Sequence, residues 1–284
     1  MAPHTVQSIR RPSDRETSSP NSRLKENIWE PKDIDPCRIR CTTIGMGKFL
    51  LRNVEPELAD HIPGDDPRAL RFRRDLSRLN ALTMTDRVMA RTLLKHWGSV
   101  APREIVDLGA GDGTFMLRVA QRLAPRWRDV TVKLVDQQDI VGAHARDGFA
   151  AVHWNIQTVP ADVFEFLQKM QLNVDIVIAN GFLHHFTAER LTRLLSLAAG
   201  RAKLIVAGEP RRTHFAREVS RFVWLLGCGD VIRHDVLASI RAGFVRKEIS
   251  ASWPTRDGWV VEERDAGPFW HTFAARRESA PSRA

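Results

Sequence analysis

The 284-residue chain has no tyrosine, only three cysteines, and no uninterrupted apolar stretch of the length a bilayer-spanning helix requires. Each absence excludes something. Cys37, Cys41 and Cys228 are too few and too odd in number for a disulfide framework, so three reduced thiols are expected. Cys37 and Cys41 frame Cys-Arg-Ile-Arg-Cys, but no third cysteine follows closely and no histidine pair completes a zinc set, so no metal site is expected. Arg10, Arg11, Asp14, Arg15 and Glu16 leave no apolar signal-peptide core, and with no spanning segment this predicts a cytoplasmic protein. Apolar residues are not scarce overall: at 43% they supply a sizeable core and exclude a disordered or fibrous chain.

Acidic residues are scarce in one region. Between Arg68 and Arg103 nine Lys or Arg face two Asp, whereas the first thirty residues carry five basic against four acidic side chains. The formal net charge of +9 is therefore concentrated. A solvated helical face is one explanation; an anionic substrate, a carrier protein, a membrane surface or RNA is the other.

The most informative stretch is 104–115, Glu-Ile-Val-Asp-Leu-Gly-Ala-Gly-Asp-Gly-Thr-Phe, an apolar strand that ends in an acid and then a glycine-rich turn. Gly109, Gly111 and Gly113, with Ala110 between them, let the backbone turn sharply and approach a ligand, and the amphipathic run from Asp112 to Leu123 supplies the helix that follows. A dinucleotide fingerprint starting at Gly109 needs glycine at 114, where Thr114 stands. Asp107 would also repel a pyrophosphate, whereas it suits a ligand carrying a positively charged amino group. A sharp strand-to-helix turn without a ligand is the plain alternative.

Further along, apolar runs alternate with helical patterns. Strands are expected at about 104–108, 130–135, 150–155, 174–180, 203–208, 244–252 and 269–276, with helices near 112–123, 138–146, 161–170, 187–198 and 215–226. This predicts an α/β, doubly wound, mostly parallel seven-stranded sheet, with the last two strands pairing as an antiparallel edge around an excursion at 253–268. Before the sheet, Phe72, Leu76 and Leu79, then Met89, Leu93 and Trp97, predict two N-terminal helices that act as a lid or as core packing. The Ser-, Pro- and Arg-rich residues 1–27 are expected to be a disordered tail, 28–101 an extension and helical lid, 102–277 the main domain, and 278–284 a flexible end.

In an open α/β sheet, ligands bind beyond the carboxyl ends of the strands. Asp136 closes the second strand, where it can accept from both ribose hydroxyls of a nucleoside; a solvated loop residue is the alternative. Asp162 could accept from an adenine amino group with Val163 against the ring, or could cap the following helix. The fourth strand ends at Asn180 and runs into Gly181-Phe-Leu-His184-His185-Phe186. Adjacent histidines are not expected to point the same way, so at most one should line a pocket; either could serve as general base or as a packing residue. His234, His271 and Glu209 lie in later segments that should approach the same end of the sheet. Phe215, Val219, Phe222 and Leu226 form a helical stripe with Trp224 beside it and Trp253, Trp259 and Trp270 downstream, expected mainly as core, with an apolar pocket taking the surplus.

Asp-x-Gly-x-Gly-x-Gly at Asp107–Gly113 resembles motif I of class I methyltransferases. With Asp136, Asn180–Phe186 and the strand order, the likeness covers about residues 68–277. It implies a Rossmann-like methyltransferase domain over 102–277, S-adenosyl-L-methionine as cofactor and a small-molecule acceptor, aromatic or lipidic. Enzymes of this fold that methylate adenine amino groups usually carry Asn/Asp-Pro-Pro-Tyr/Phe after the fourth strand, whereas this chain has Asn180-Gly-Phe-Leu. Glu55–Asp60, Glu209–Arg212, Gly227–Asp230, Arg233–Asp235 and Ala242–Phe244 are similar to methyltransferases found beside type III polyketide synthases, which implies O-methylation of a phenolic or polyketide-type hydroxyl. An RNA methyltransferase using 68–103 and a non-catalytic S-adenosylmethionine-binding protein are the alternatives.

Overall fold

Five apolar runs, each followed by a helical segment, pair side by side as parallel strands: β1 (Glu104–Leu108), β2 (Thr131–Asp136), β3 (Asn155–Pro160), β4 (Val174–Asn180) and β5 (Ala202–Pro210). β6 (Trp259–Ala266) and β7 (Trp270–Arg277) close one edge antiparallel, giving the order β3-β2-β1-β4-β5-β7-β6. The computed structural model describes residues 51–171, 173–254 and 257–278, all within the compact unit Met46–Ala284. The expected tail at 1–27, Cys37, Cys41 and residues 279–284 lie outside the described residues.

Side-chain alternation along the strands feeds two apolar layers. Ile105, Leu134, Ile176, Ile178 and Val206 point to one face, packed by Met89 and Leu93 of α2 (Thr85–Trp97), Met116, Leu117 and Leu123 of α3 (Thr114–Leu123), and Phe149 of α4 (Ala143–Ala151). Val106, Val177, Ala179 and Ile205 point to the other, against Phe164 and Leu167 of α5 (Val163–Lys169) and Leu191, Leu194 and Leu195 of α6 (Ala188–Ala199). At roughly 1.5–3 kcal/mol for each large apolar side chain removed from water, these layers dominate the stability. The strand order reverses between β1 and β4, which opens a crevice at their carboxyl ends.

The two N-terminal helices divide the roles expected of them. α2 is core. α1 (Pro67–Leu82), started by the Asp66 carboxylate accepting from Arg68 N (2.7 Å), buries only Ala69 and Asp75 and roofs a cavity described below.

Several expected elements are displaced. The third strand starts at Asn155 rather than 150, because the Ala-rich α4 runs on to Ala151; His153, at φ 59°, then turns the chain and Trp154 N reaches back to Phe149 O (3.0 Å). No strand occupies 244–252. Glu248 accepts from Val245 N (3.0 Å) and starts a single turn, α9 (Glu248–Ala251). The outer strand instead lies inside the expected excursion, as β6, joined to β7 by a tight turn with Gly267 at φ 83°. Its charged sequence, Trp-Val-Val-Glu-Glu-Arg-Asp-Ala, suits a sheet edge. The helix expected over 215–226 is α7 (His214–Ser220) followed by a 3₁₀ turn at Val223–Leu226, and α8 (Asp230–Ala242) was not anticipated.

Candidate active site

The chain leaves β1 through three glycines in the left-handed region, Gly109 (φ 70°), Gly111 (φ 55°) and Gly113 (φ 76°). Gly109 N and Ala110 N both donate to Val135 O, at 2.9 and 3.1 Å, which pins the turn against β2. A Cβ built at Gly111 meets nothing within 4 Å, so the backbone there faces open space; one built at Gly109 collides with the Phe182 ring. Gly111 N donates to Asp136 Oδ2 (2.9 Å) and Gln138 N to Oδ1 (3.1 Å), so Asp136 is oriented from both sides.

Asp107 is buried at the floor of this turn. Burial, and secondarily the charge of Asp136, pushes its carboxyl up to about 8. A buried carboxyl of this kind suits a ligand cation. Asp162 caps α5: its Oδ1 accepts from Phe164 N (2.8 Å) and Glu165 N (3.1 Å), which leaves Oδ2 for a ligand, with Val163 buried beside it. Asn180, at the end of β4, has its Oδ1 buried without a hydrogen-bond partner. These residues fit an aminoacyl nucleoside: a cradle open at Gly111, a buried carboxyl for an ammonium and an oriented carboxylate for ribose.

The loop after β4 is organised by one side chain. Glu209, fully buried on β5, accepts from Phe182 N (3.0 Å), Leu183 N (2.8 Å) and His184 N (3.3 Å), and its Oε2 also meets His184 Nδ1 (2.8 Å). His184 Nε2 meets Glu57 Oε1 at 3.1 Å. Burial alone would lower the imidazole, but hydrogen bonds to Glu209 and Glu57 outweigh it and raise the ring to about 9. Both nitrogens then donate; Glu57, His184 and His185 also bring one potential ligand atom each within 4.8 Å of one another. Burial opposes the charge on Glu57, yet His184 and the Ser239 hydroxyl hold its carboxyl below the ordinary value.

Glu57 precedes a 3₁₀ turn, Leu58–His61, whose Leu58 N and Ala59 N both donate to the buried Asp235 of α8 at 2.9 Å. Arg52, a few residues earlier, donates to His184 O (3.0 Å) and Ala242 O (2.7 Å) and stacks on Phe244. Thus a segment before α1 closes the polar end of the site. Nothing in the sequence places Glu57 beside His184; only the likeness of Glu55–Asp60 and Arg233–Asp235 to other chains marked these segments, without a role.

Beside Asn180, Gly181, His184 and Glu57 lies a cavity of about 520 Å³. Its walls are apolar, from Phe72, Leu76 and Leu79 of α1, Val219 and Phe222 at α7, and Ile232 and Val236 of α8. The stripe expected as core is therefore not core: Phe215 and Phe222 are more than half exposed, because α7 is two turns long and rides above the cavity. Trp253 and Trp259 do pack in the core, edge to face at 5.2 Å, whereas Trp224 faces solvent and Trp270 lines the cavity.

Of the four candidate histidines, His184 alone lines the cavity. The His184 and His185 rings lie 4.3 Å apart, tilted by 31°, although adjacent side chains are expected to diverge. Burial, and then the neighbouring His184 charge, lowers the His185 ring. His234 is half exposed and bonded through Nδ1 to Asp235 (2.8 Å). His271 is buried in the β6–β7 hairpin between Glu263 (2.8 Å) and Asp265 (3.0 Å), where it pairs strands.

Residues 105–203 match the family model described as a methyltransferase domain. No curated protein matches the sequence. Among solved structures the fold is similar to a putative O-methyltransferase from Nostoc punctiforme PCC 73102, with 15% identity over 73% of this chain and 60% of that one and a TM-score of 0.51. It is also similar to the plantazolicin methyltransferase BamL, in complex with a triazolic desmethylPZN analog and SAH, with 11% identity over 78% of this chain and 93% of that one and a TM-score of 0.56. An O-methyltransferase family protein from Burkholderia thailandensis is similar over 71% of this chain at 17% identity, with a TM-score of 0.48. The chain spans 58% and 60% of the lengths of the Burkholderia and Nostoc proteins. At these identities the likeness is one of fold.

Proposed function

We propose that this chain is an S-adenosyl-L-methionine-dependent methyltransferase that methylates a hydroxyl on an apolar small molecule of phenolic or polyketide type. The observation that carries the reading is the juxtaposition of a glycine cradle, complete with its buried Asp107, and an apolar cavity that meets it at Asn180 and Gly181. Asp107 takes the cofactor's ammonium, the Gly109–Gly113 turn with Ala110 its backbone, Asp136 its ribose, and Asp162 Oδ2 with Val163 its adenine. When bound, S-adenosyl-L-methionine supplies an electrophilic methyl group.

The chain's own part is placement and proton removal. The apolar walls exclude water from the acceptor, and Asn180 Oδ1, which lacks a partner, accepts from the acceptor's hydroxyl as it enters. Orientation of this kind contributes on the order of 7–11 kcal/mol, whereas a general base adds about 10²–10⁴-fold. His184 is the base: Glu209 keeps a proton on Nδ1, and Nε2, once neutral and released from its 3.1 Å contact with Glu57 Oε1 as that carboxylate moves aside, takes over the acceptor's hydroxyl proton from its hydrogen bond to Asn180 Oδ1. His185, His234 and His271 then hold structure rather than move protons.

The reading is tested by calorimetry with S-adenosylhomocysteine on the full chain, followed by methyl-transfer assays on hydrophobic phenols and on total RNA. Binding with turnover of a phenol is expected, and Gly111→Trp should abolish binding by filling the cradle. Unchanged affinity in that variant would remove the cofactor assignment. Salt-dependent turnover of RNA instead would move the acceptor to the basic stretch.

A further inference from the structure

The mouth of the cavity is unusual for a protein surface. Phe222, Trp224, Leu225 and Leu226, four of five consecutive residues, are 58%, 54%, 62% and 46% exposed. Across the opening α1 adds Leu76 and Leu82, both exposed. Scattered exposed apolar side chains need no explanation, but a contiguous cluster containing tryptophan and phenylalanine, on a protruding turn, marks a docking surface. Five of these six side chains also line the cavity, so whatever covers the patch stands at its entrance.

The charge beside the patch selects the occupant. Arg71 Nη2 donates to Gly227 O (3.1 Å), which fixes a guanidinium alongside the turn. Arg71 and Arg78 share the single buried carboxylate of Asp75, at 3.8 and 3.6 Å, so one positive charge of the pair is in excess. Arg74 is exposed on the same helix, and Arg221, which immediately precedes the turn, is paired with Glu218 (2.8 Å). The result is an apolar tip with aromatic and leucine side chains, flanked by surplus cations. That composition suits the boundary between acyl chains and anionic headgroups.

We infer that the Phe222–Leu226 turn and α1 dock this protein on an anionic lipid bilayer, so that an apolar acceptor passes from the membrane into the cavity without crossing water. A protein partner on the same patch would close the entrance; a bilayer covers it and supplies the acceptor together. The delivery step rests on the proposed role of the cavity, whereas the docking step does not.

The experiment therefore measures docking without cofactor or acceptor. The full chain is sedimented with vesicles of phosphatidylcholine alone and of phosphatidylcholine with phosphatidylglycerol, at low and at physiological salt, beside Trp224→Asp and Arg74→Glu. Trp224 does not line the cavity, so its variant should keep its melting temperature, its S-adenosylhomocysteine affinity and its turnover of a water-soluble phenol. Binding is expected to be strongest on anionic vesicles, with a loss of about tenfold in partition for Trp224→Asp. For Arg74→Glu the loss should be confined to anionic vesicles and reduced by salt. No sedimentation of the intact chain would overturn the proposal, as would a chain that is dimeric by light scattering and becomes monomeric in Trp224→Asp, which would make the patch a contact between copies. Failure of methyl transfer with vesicle binding intact would instead remove the proposed function and leave the docking surface.

Discussion

A carboxyl that ionises near pH 8 is mostly protonated at pH 7, so in the proposed role Asp107 would become a counter-ion there only as an arriving ammonium displaces its proton. Cofactor binding should therefore release a proton at pH 7, and S-adenosylhomocysteine affinity should climb between pH 6 and 8. Calorimetry in buffers of different ionisation enthalpy reads the proton directly, and Asp107→Asn should remove both effects; a pH-independent affinity in the wild type would contradict the assignment. The linkage to folding has the corresponding sign. A carboxyl raised from its ordinary 3.8 favours the folded state below that value and loses this contribution as pH rises through 8, so the cofactor should protect most in the alkaline half of the range. At Gly109 the constraint is steric: Gly109→Ala should destabilise both by left-handed strain, about 1–2 kcal/mol, and by collision with Phe182. Combining it with Phe182→Ala should show a coupling of about 1 kcal/mol or more in a double-mutant cycle by urea denaturation.

Among elements, Glu209 has the largest local influence, because one buried carboxylate satisfies three consecutive backbone N–H groups and one imidazole. Glu209→Ala should cost about 3–5 kcal/mol by denaturant titration, since those donors stay buried without partners. Elements of this kind show how far the chain could be read directly. β1, α3 and β4 carry their own signals, an apolar run and a glycine turn, and stand where periodicity put them. β6 does not: Glu262, Glu263, Arg264 and Asp265 look like loop until β7 supplies His271 as the partner that buries Glu263. α8 was missed because its inward face includes Asp235, whose partners Leu58 N and Ala59 N lie about 180 residues away. Asp162 could be read only as two alternatives, because a cap and a ligand contact use the same carboxylate. The cradle was legible locally; the Glu57–His184 pairing is a product of tertiary folding.

For the molecule as a whole, that pairing sets a pH window. The His184 ring, raised from 6.5 to about 9, adds stability that is fully present below pH 6.5 and is lost as pH rises through 9. Glu57, held below its ordinary 4.5, adds stability present above that value and lost in acid. The difference in melting temperature between wild type and His184→Gln should therefore be largest at about pH 5–6 and vanish above pH 9. Turnover should move the opposite way, rising toward pH 9 as neutral His184 becomes available; a rate unchanged between pH 7 and 9 would take the base role from this residue.

Only three of the residues around the cavity, Asn180, Gly181 and His184, fall within the 105–203 stretch that carries the family likeness. The rest come from Glu57, from α1 and the turn after it, and from the chain from Pro210 onward. Under the proposed function, the chemistry of the methyl donor and the choice of what receives it are thus written in separate parts of the sequence. Two chains could share the first part almost unchanged and serve different molecules, and grafting residues 51–83 and 210–240 between them should carry the acceptor preference across while the donor stays the same.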